Sequence, residues 1–362
     1  MTSLKIPESV LVVIYSEDGR VLLLRRRDQP GFWQSVTGSL KPGETPLTAA
    51  RREVREETGF DPDGLEDCGR CRRFPITGAW RVRYDASATR NREHEFRLRV
   101  PAGSQPDLAR GEHDRARWRG RGEALGLAAS WTNRVAIRLL PVAPDQATVI
   151  LVHGLWMGSP SMALLAWRLR RAGYRVRLFH YSSTAETPEA AARRLGRMVL
   201  RTRTPVVHFV AHSLGGIVLA HLFDRGVTAR TGRAVLLGSP MRDCQAARGM
   251  DRMGVAWALG KGGGGGLLGE RPAWRAEVPV AAIAGNKPVG LGRLVARMDE
   301  TSDGAVALRE TEIAGAPRAV LPVTHTGLLV NREVMARMLV WLQAGVLPGS
   351  EICPEPDSPT PE

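Results

Sequence analysis

Residues 38–60 read GSLKPGETPLTAARREVREETGF, and this stretch decides how the first part of the chain folds. Thr45 and Pro46 make a helix start, Leu47, Ala50 and Val54 recur at helical spacing, and Gly59 supplies a stop. At roughly 100° per residue, Glu53, Glu56 and Glu57 fall on one arc beside the apolar stripe rather than on it. Like charges at this spacing destabilise a helix by roughly 0.2–0.5 kcal/mol per pair, so the cluster calls for a compensating partner. A divalent cation is one such partner, because Mg²⁺ takes oxygen ligands and bridges to substrate phosphates. A solvated face relieved by Arg51, Arg52 and Arg55 is the other.

Context separates the two. Gly38, Glu44 and the run Arg52-Glu53-Val54-Arg55-Glu56-Glu57-Thr58-Gly59-Phe60 stand at the fixed spacing of the Nudix box, and the region resembles Nudix hydrolases. Within that family it is similar to the dihydroneopterin triphosphate pyrophosphatases of folate synthesis. The similarity rests on Val12-Val13-Ile14-Tyr15, Phe32-Trp33-Gln34-Ser35-Val36-Thr37-Gly38, Thr89-Arg90-Asn91 and Ser130-Trp131-Thr132-Asn133-Arg134. It implies metal ligands at Glu53, Glu57 and Glu112 and substrate contacts at Lys5, Arg26, Thr37 and Ser130. Residues 74–77 align with a further substrate-contacting stretch, where Pro75 replaces an expected acidic residue. The implied reaction releases pyrophosphate and leaves dihydroneopterin monophosphate. Mg²⁺ is the expected ion, with Mn²⁺ as the alternative; it would bridge phosphate oxygens and acidify a bound water. Either Glu53 or Glu56 could take the proton from that water.

Working outward, residues 9–15 and 21–24 read as a hairpin, with further strands expected over 70–76 and 94–100 and a helix over 133–140. That is a mixed sheet covered by helices, over residues 1–140. Residues 141–147 contain Pro141 and Pro144 and read as a linker. Beyond them, strands at 148–152, 175–181, 206–211, 234–237 and 280–284 alternate with helices such as 188–200 and 215–223, the pattern of a mainly parallel sheet over 148–346. The expected class is therefore α/β with two domains.

Ala211-His212-Ser213-Leu214-Gly215 stands where a strand runs into a helix, with small residues two positions either side of the serine. A sharp nucleophile turn needs that spacing, and with His153-Gly154 earlier in the βα series the second half resembles α/β hydrolases of the lipase and esterase type. Chain order in that fold is Ser, acid, His. His325 is the only histidine after Ser213 apart from His221, which sits in the following helix. Asp303, before Gly304, competes with Asp299 and Glu300 for the acid. The resemblance implies proton transfer from Ser213 to His325, orientation by Asp303, and an oxyanion hole from the N–H groups of Leu155 and Leu214.

Residues 241–275 hold a five-glycine run at 262–266 that is not expected to pack, and they read as a mobile lid. Residues 347–362, rich in Pro and acid, read as a disordered tail. The net charge of +14 comes almost wholly from arginine and is spread over both halves, with 25 basic and 19 acidic residues up to Pro141 and 26 and 18 after it. An even spread argues against a nucleic-acid stripe. Four cysteines do not make a disulfide framework in 362 residues, and the lone Cys68/Cys71 pair cannot close a zinc site. No leader pattern and no apolar run near the roughly 20 residues of a membrane span is present, so a cytoplasmic, soluble protein is expected. The expected partners are a small phosphorylated substrate and an ester or acyl substrate. Two alternatives stay open: another nucleoside polyphosphate at the first site, such as a nucleoside triphosphate, dinucleoside polyphosphate or ADP-ribose, or a non-catalytic binding role for one domain.

Overall fold

The computed structural model describes residues 4–108, 111–226, 230–275, 277–290 and 301–353. The chain divides into two compact units, Met1–Leu140 and Pro141–Glu362.

In the first unit, β1 (Glu8–Ser16), β2 (Arg20–Arg26), β3 (Trp33–Gln34), β4 (Val36–Ser39), α1 (Pro46–Thr58), β5 (Glu66–Pro75), β6 (Arg90–Val100), β7 (His113–Gly120), α2 (Arg121–Leu127) and α3 (Trp131–Arg138) follow one another. The strands make one mixed sheet in the order β3-β2-β1-β6-β5, with β4 added to β1 and β7 to β2. Only β1 and β6 run parallel, with Ser9 opposite Glu93 and Leu11 opposite Glu95. Alternation along β1 divides the core in two. Val10, Val12 and Ile14 pack with Ala49, Ala50 and Val54 of α1, while Leu11 and Val13 pack with Ala136 and Ile137 of α3.

Helix α1 begins where the sequence places it. The Thr45 side chain accepts from the Thr48 N–H, Pro46 opens the first turn, and Gly59 closes the helix at φ +68°. The acidic arc, however, does not lie wholly beside the apolar stripe. Glu53 and Glu57 are buried with Val54, and Glu56 alone faces out. Gly38 is what admits Glu53, since a Cβ there would overlap the Glu53 carboxylate.

The second unit contains β8 (Ala147–Val152), α4 (Ala163–Arg171), β9 (Arg175–Phe179), α5 (Pro188–Leu200), β10 (Val206–His212), α6 (Leu214–Asp224), β11 (Thr231–Leu237), α7 (Gln245–Arg252), α8 (Gly260–Gly263), β12 (Val280–Gly285), β13 (Pro317–Leu321), α9 (Arg332–Ala344) and β14 (Ser350–Ile352). Its sheet runs β14-β13-β12-β11-β10-β8-β9, parallel except for β14. Strands β8, β10, β11 and β12 are buried along their whole length, as expected of a parallel sheet covered on both faces.

Two expectations are corrected here. The expected tail is ordered at its start: Ser350–Ile352 pairs antiparallel with β13, and Leu347 and Cys353 are buried. Residues 354–362 lie outside the described residues. The glycine run also packs. It forms α8 and the π-helical turn Gly264–Leu268, and a Cβ at Gly262 would overlap the Ser183 carbonyl while one at Gly266 would meet Pro188 at 2.7 Å and Leu214 at 2.8 Å. Absence of side chains here permits close backbone approach.

Candidate active sites

At the α1 site one guanidinium organises the acidic residues. Arg52 Nε and Nη2 donate to the two Glu44 oxygens at 2.8 and 2.9 Å, Nη1 donates to Glu53 Oε1 at 2.6 Å and Glu56 Oε2 at 3.1 Å, and Nη2 also reaches the Ser39 carbonyl at 3.2 Å. Arginine relief is therefore real for Glu44, Glu53 and Glu56. Glu57 points away from Arg52. Its Oε2 lies 3.1 Å from His113 Nε2, and among the described residues this ion-pair contact is the one polar partner in reach of its buried carboxyl. Glu57, Glu112 and His113 offer ligand atoms within 4.8 Å of one another.

Burial pushes Glu57 up to about 7 against the downward pull of His113. Burial also raises Glu53 against the pull of Arg52. For His113, burial favours the neutral form, but Glu57 outweighs it and the net shift is upward. A buried carboxyl, an exposed carboxylate and an imidazole make a donor set that suits a divalent cation. Glu53 is outside that tight group, although its charge and that of Glu112 both act on Glu57. His113 goes beyond the residues that the sequence reading assigns; the tandem Glu112-His113 is its available sign in the sequence.

The expected substrate contacts fall into two pairs. Lys5 donates its backbone N–H to the Arg83 carbonyl at 2.9 Å, and the Arg26 guanidinium lies 5.2 Å from the Trp80 ring centre, so both meet the 3₁₀ turn Gly78–Arg83. Arg26 also forks onto Asp28 at 2.7 and 2.8 Å. Thr37 accepts from Gln34 Nε2 at 3.0 Å, and Ser130 caps α3 by accepting from the Asn133 N–H at 3.1 Å. Asn133 Oδ1 accepts from the Ser35 N–H at 2.7 Å and ties that cap to the β3–β4 corner.

At the second site, Ser213 takes φ +52° and ψ −124° between β10 and α6. Among the described residues, Ser213 and Trp156 are the two non-glycine residues with positive φ. A non-glycine residue held in such backbone geometry persists there only where its surroundings enforce it. Enforcement is visible: a Cβ on Gly215 would come within 2.6 Å of the Val152 carbonyl, so α6 can press against β8 only with glycine there.

Asp303 is 1% exposed and fully engaged. Its Oδ1 accepts from the Ala305 and Val306 N–H groups at 3.0 and 2.8 Å, and Oδ2 accepts from His325 Nδ1 at 2.7 Å. The His325 N–H donates to the Asp303 carbonyl at 2.9 Å. His212 Nε2 donates to the His325 carbonyl at 3.1 Å with the two rings 4.6 Å apart, which packs His325 on the residue before Ser213. Leu214 begins α6, and Leu155 follows Gly154, whose added Cβ would be 2.9 Å from that of Ser213. Leu214 thus directly follows the serine, and Gly154, the residue before Leu155, packs closely against it. Asp299 and Glu300, the competing acids, lie outside the described residues.

Comparison with known proteins agrees with this division. The NUDIX domain family model matches residues 5–140, and the model of an alpha/beta hydrolase family matches residues 149–348. The dihydroneopterin triphosphate diphosphatase of Escherichia coli K12 is 46% identical over 138 residues, covering 37% of this chain and 91% of that protein. The solved E. coli dihydroneopterin triphosphate pyrophosphohydrolase aligns at 45% identity over 38% of this chain and 96% of its own, with a TM-score of 0.36. A mature Bacillus licheniformis lipase aligns at 19% identity over 56% of this chain and 92% of its own, with a TM-score of 0.45.

Proposed function

The chain belongs to the Nudix family over residues 5–140 and to the alpha/beta hydrolase family over residues 149–348, and from that premise we propose a bifunctional cytoplasmic hydrolase. Its first activity is divalent-metal-dependent cleavage of dihydroneopterin triphosphate to the monophosphate and pyrophosphate. Its second is serine-dependent ester hydrolysis.

For the first site the observation that carries the reading is Glu57, a buried carboxyl whose one polar contact among the described residues is His113, beside Glu112. These residues, with Glu53 adjacent, would hold Mg²⁺. Bound there, the ion would neutralise charge on the triphosphate and acidify the attacking water. Glu53 is the better proton acceptor of the two candidates, because burial raises its affinity for a proton while Glu56 stands in solvent. Arg52 holds Glu53 in place, and Lys5 and Arg26 steady the phosphates by charge. Thr37 and Ser130, on the β4 and α3 side, contact the rest of the substrate.

For the second site the carrying observation is the strained Ser213 backbone beside a closed Asp303–His325 pair. Asp303 keeps the His325 proton on Nδ1, leaving Nε2 free to take the Ser213 proton as the hydroxyl attacks an acyl carbon. The Leu155 and Leu214 N–H groups face the developing oxyanion. Four free cysteines suit the reducing cytoplasm.

The decisive assay supplies purified protein and Mg²⁺ with dihydroneopterin triphosphate and a nucleotide panel, and separately with short and long acyl esters. Loss of pyrophosphate release in Glu57→Gln, and of ester cleavage in Ser213→Ala, is expected. Full activity in either variant would remove the corresponding assignment.

A further inference from the structure

Glu95 and Glu93 stand two residues apart on β6 and face the same side of the sheet, the side covered by α3. Their surroundings differ. Glu95 takes both nearby arginines: Arg70 Nη2 approaches to 2.9 Å, and Arg72 bonds its other oxygen. Glu93, 6% exposed, accepts a hydrogen bond from the Thr132 hydroxyl and feels Arg72 only through space. Its Oε1 has no hydrogen-bond partner. Asn91, the next residue on that face, is 5% exposed; its Nδ2 donates to Ser9 Oγ at 2.7 Å, and its Oδ1 also has no partner.

Glu93 Oε1 and Asn91 Oδ1, two buried acceptor atoms on one face without donors, are costly, at roughly 1–3 kcal/mol for each unsatisfied neutral group and more for a charge. The strand register places them among residues already read as substrate contacts. Ser9 lies opposite both Glu93 and Ser39, and Thr37 lies one step further along β4 on the same face. Phe74, opposite Asn91, meets Trp131 of α3 edge to face at 6.4 Å. A flat, donor-bearing ring is the ligand this combination of aromatic walls and bare acceptors would take.

We infer that Glu93 and Asn91 read the heterocycle of the phosphorylated substrate, with the Glu93 carboxylate accepting the adjacent N–H and NH₂ of a 2-amino-4-oxo pyrimidine edge, the edge shared by pterin and guanine. A carboxylate takes two parallel N–H donors in the way it takes an arginine fork. Adenine presents an acceptor next to its amino group and cannot make this pair. The inference rests on the Nudix reading of this unit and narrows its substrate to one edge chemistry.

The test uses the full chain with Mg²⁺ and compares kcat and KM for dihydroneopterin triphosphate, GTP and ATP in wild type, Glu93→Gln and Glu93→Asp. Binding of unphosphorylated neopterin is followed by calorimetry in the same proteins. Gln keeps the volume and turns one acceptor into a donor. The ratio of kcat/KM for dihydroneopterin triphosphate over ATP should fall about 30-fold or more in Glu93→Gln, through KM. Neopterin binding should be lost in that variant and partly kept in Glu93→Asp, which retains the charge. A merely structural Glu93 would lower all substrates together; a ratio within about threefold of wild type, or equal neopterin binding, overturns the inference. Wild-type protein that releases pyrophosphate from none of the three would instead defeat the proposed first activity, and neopterin calorimetry would still decide on Glu93.

Discussion

Glu57 and Asp303 are both buried carboxyls at the centre of a proposed site, yet their oxygens are treated in opposite ways. Asp303 accepts two backbone N–H groups on one oxygen and the His325 imidazole on the other. Glu57 has, among the described residues, only the 3.1 Å contact of its Oε2 with His113, and burial lifts it to about 7 against that pull. A satisfied carboxylate in a dry site is a finished orienting device; an unsatisfied one is half of an interaction. On the proposed reading the second unit would supply its chemistry from protein atoms, whereas the first would be completed by a cation and an anionic substrate.

The comparison breaks most easily under chelation. EDTA should reduce pyrophosphate release to background and leave ester hydrolysis within twofold, with Mg²⁺ restoring the first activity. Equal loss of both would show that the serine site also depends on an ion. The next largest effect is expected inside the serine site. Asp303→Asn keeps size but presents His325 with the wrong partner for its Nδ1 proton, so kcat for ester cleavage should drop about 10³–10⁴-fold with little change in KM. A drop under tenfold would return the acid role to Asp299 or Glu300.

How much of this was legible beforehand depends on the range of each interaction. Strand alternation, the Thr45 and Gly59 signals of α1 and the small residues around Ser213 are local, and the structure places the elements accordingly. The burial of Glu53 was not legible from helical spacing, because it depends on a glycine fifteen residues earlier in a different element. The glycine run at 262–266 misled for the same reason. Composition signals freedom, but the Ser183 and Pro188 surfaces that the run packs against are some 80 residues away. His113 belongs here too, since only the pairing of β7 with β2 brings it to the helix. The ordered start of the expected tail likewise follows from an edge strand in need of a partner, which no composition rule reveals.

Gly38 sharpens the comparison at moderate cost. A Cβ there must displace the Glu53 carboxylate from its place beside Arg52, so Gly38→Ala should lower kcat for pyrophosphate release by about 10–100-fold and destabilise the first unit by about 1–3 kcal/mol. Kinetics that stay wild-type, measured beside a melting curve, would mean that Glu53 needs no fixed position.

The smallest effect is a shift in melting temperature, and it probes the unsatisfied carboxyl directly. A group whose folded pKa is raised above its unfolded value near 4.3 is neutral in the folded state at low pH, and its burial then costs little. As pH climbs from about 4.5 to 7, Glu57 must ionise in a buried place, so the metal-free first unit should lose stability over that window. His113, raised by the same partner, acts in the same sense: its protonated form offsets Glu57 at low pH, and that support is lost as pH rises through its folded pKa. A cation competes with those protons. At a Mg²⁺ concentration about 100 times its dissociation constant, linkage supplies about 2.7 kcal/mol, or roughly 5–10 °C in a unit of this size. The Mg²⁺-induced shift of the first unit's transition should therefore be large at pH 8 and nearly absent at pH 5.5, while the second unit's transition stays put at both. A shift of equal size at the two pH values would place the ion away from Glu57, and would leave that carboxyl without the partner its burial demands.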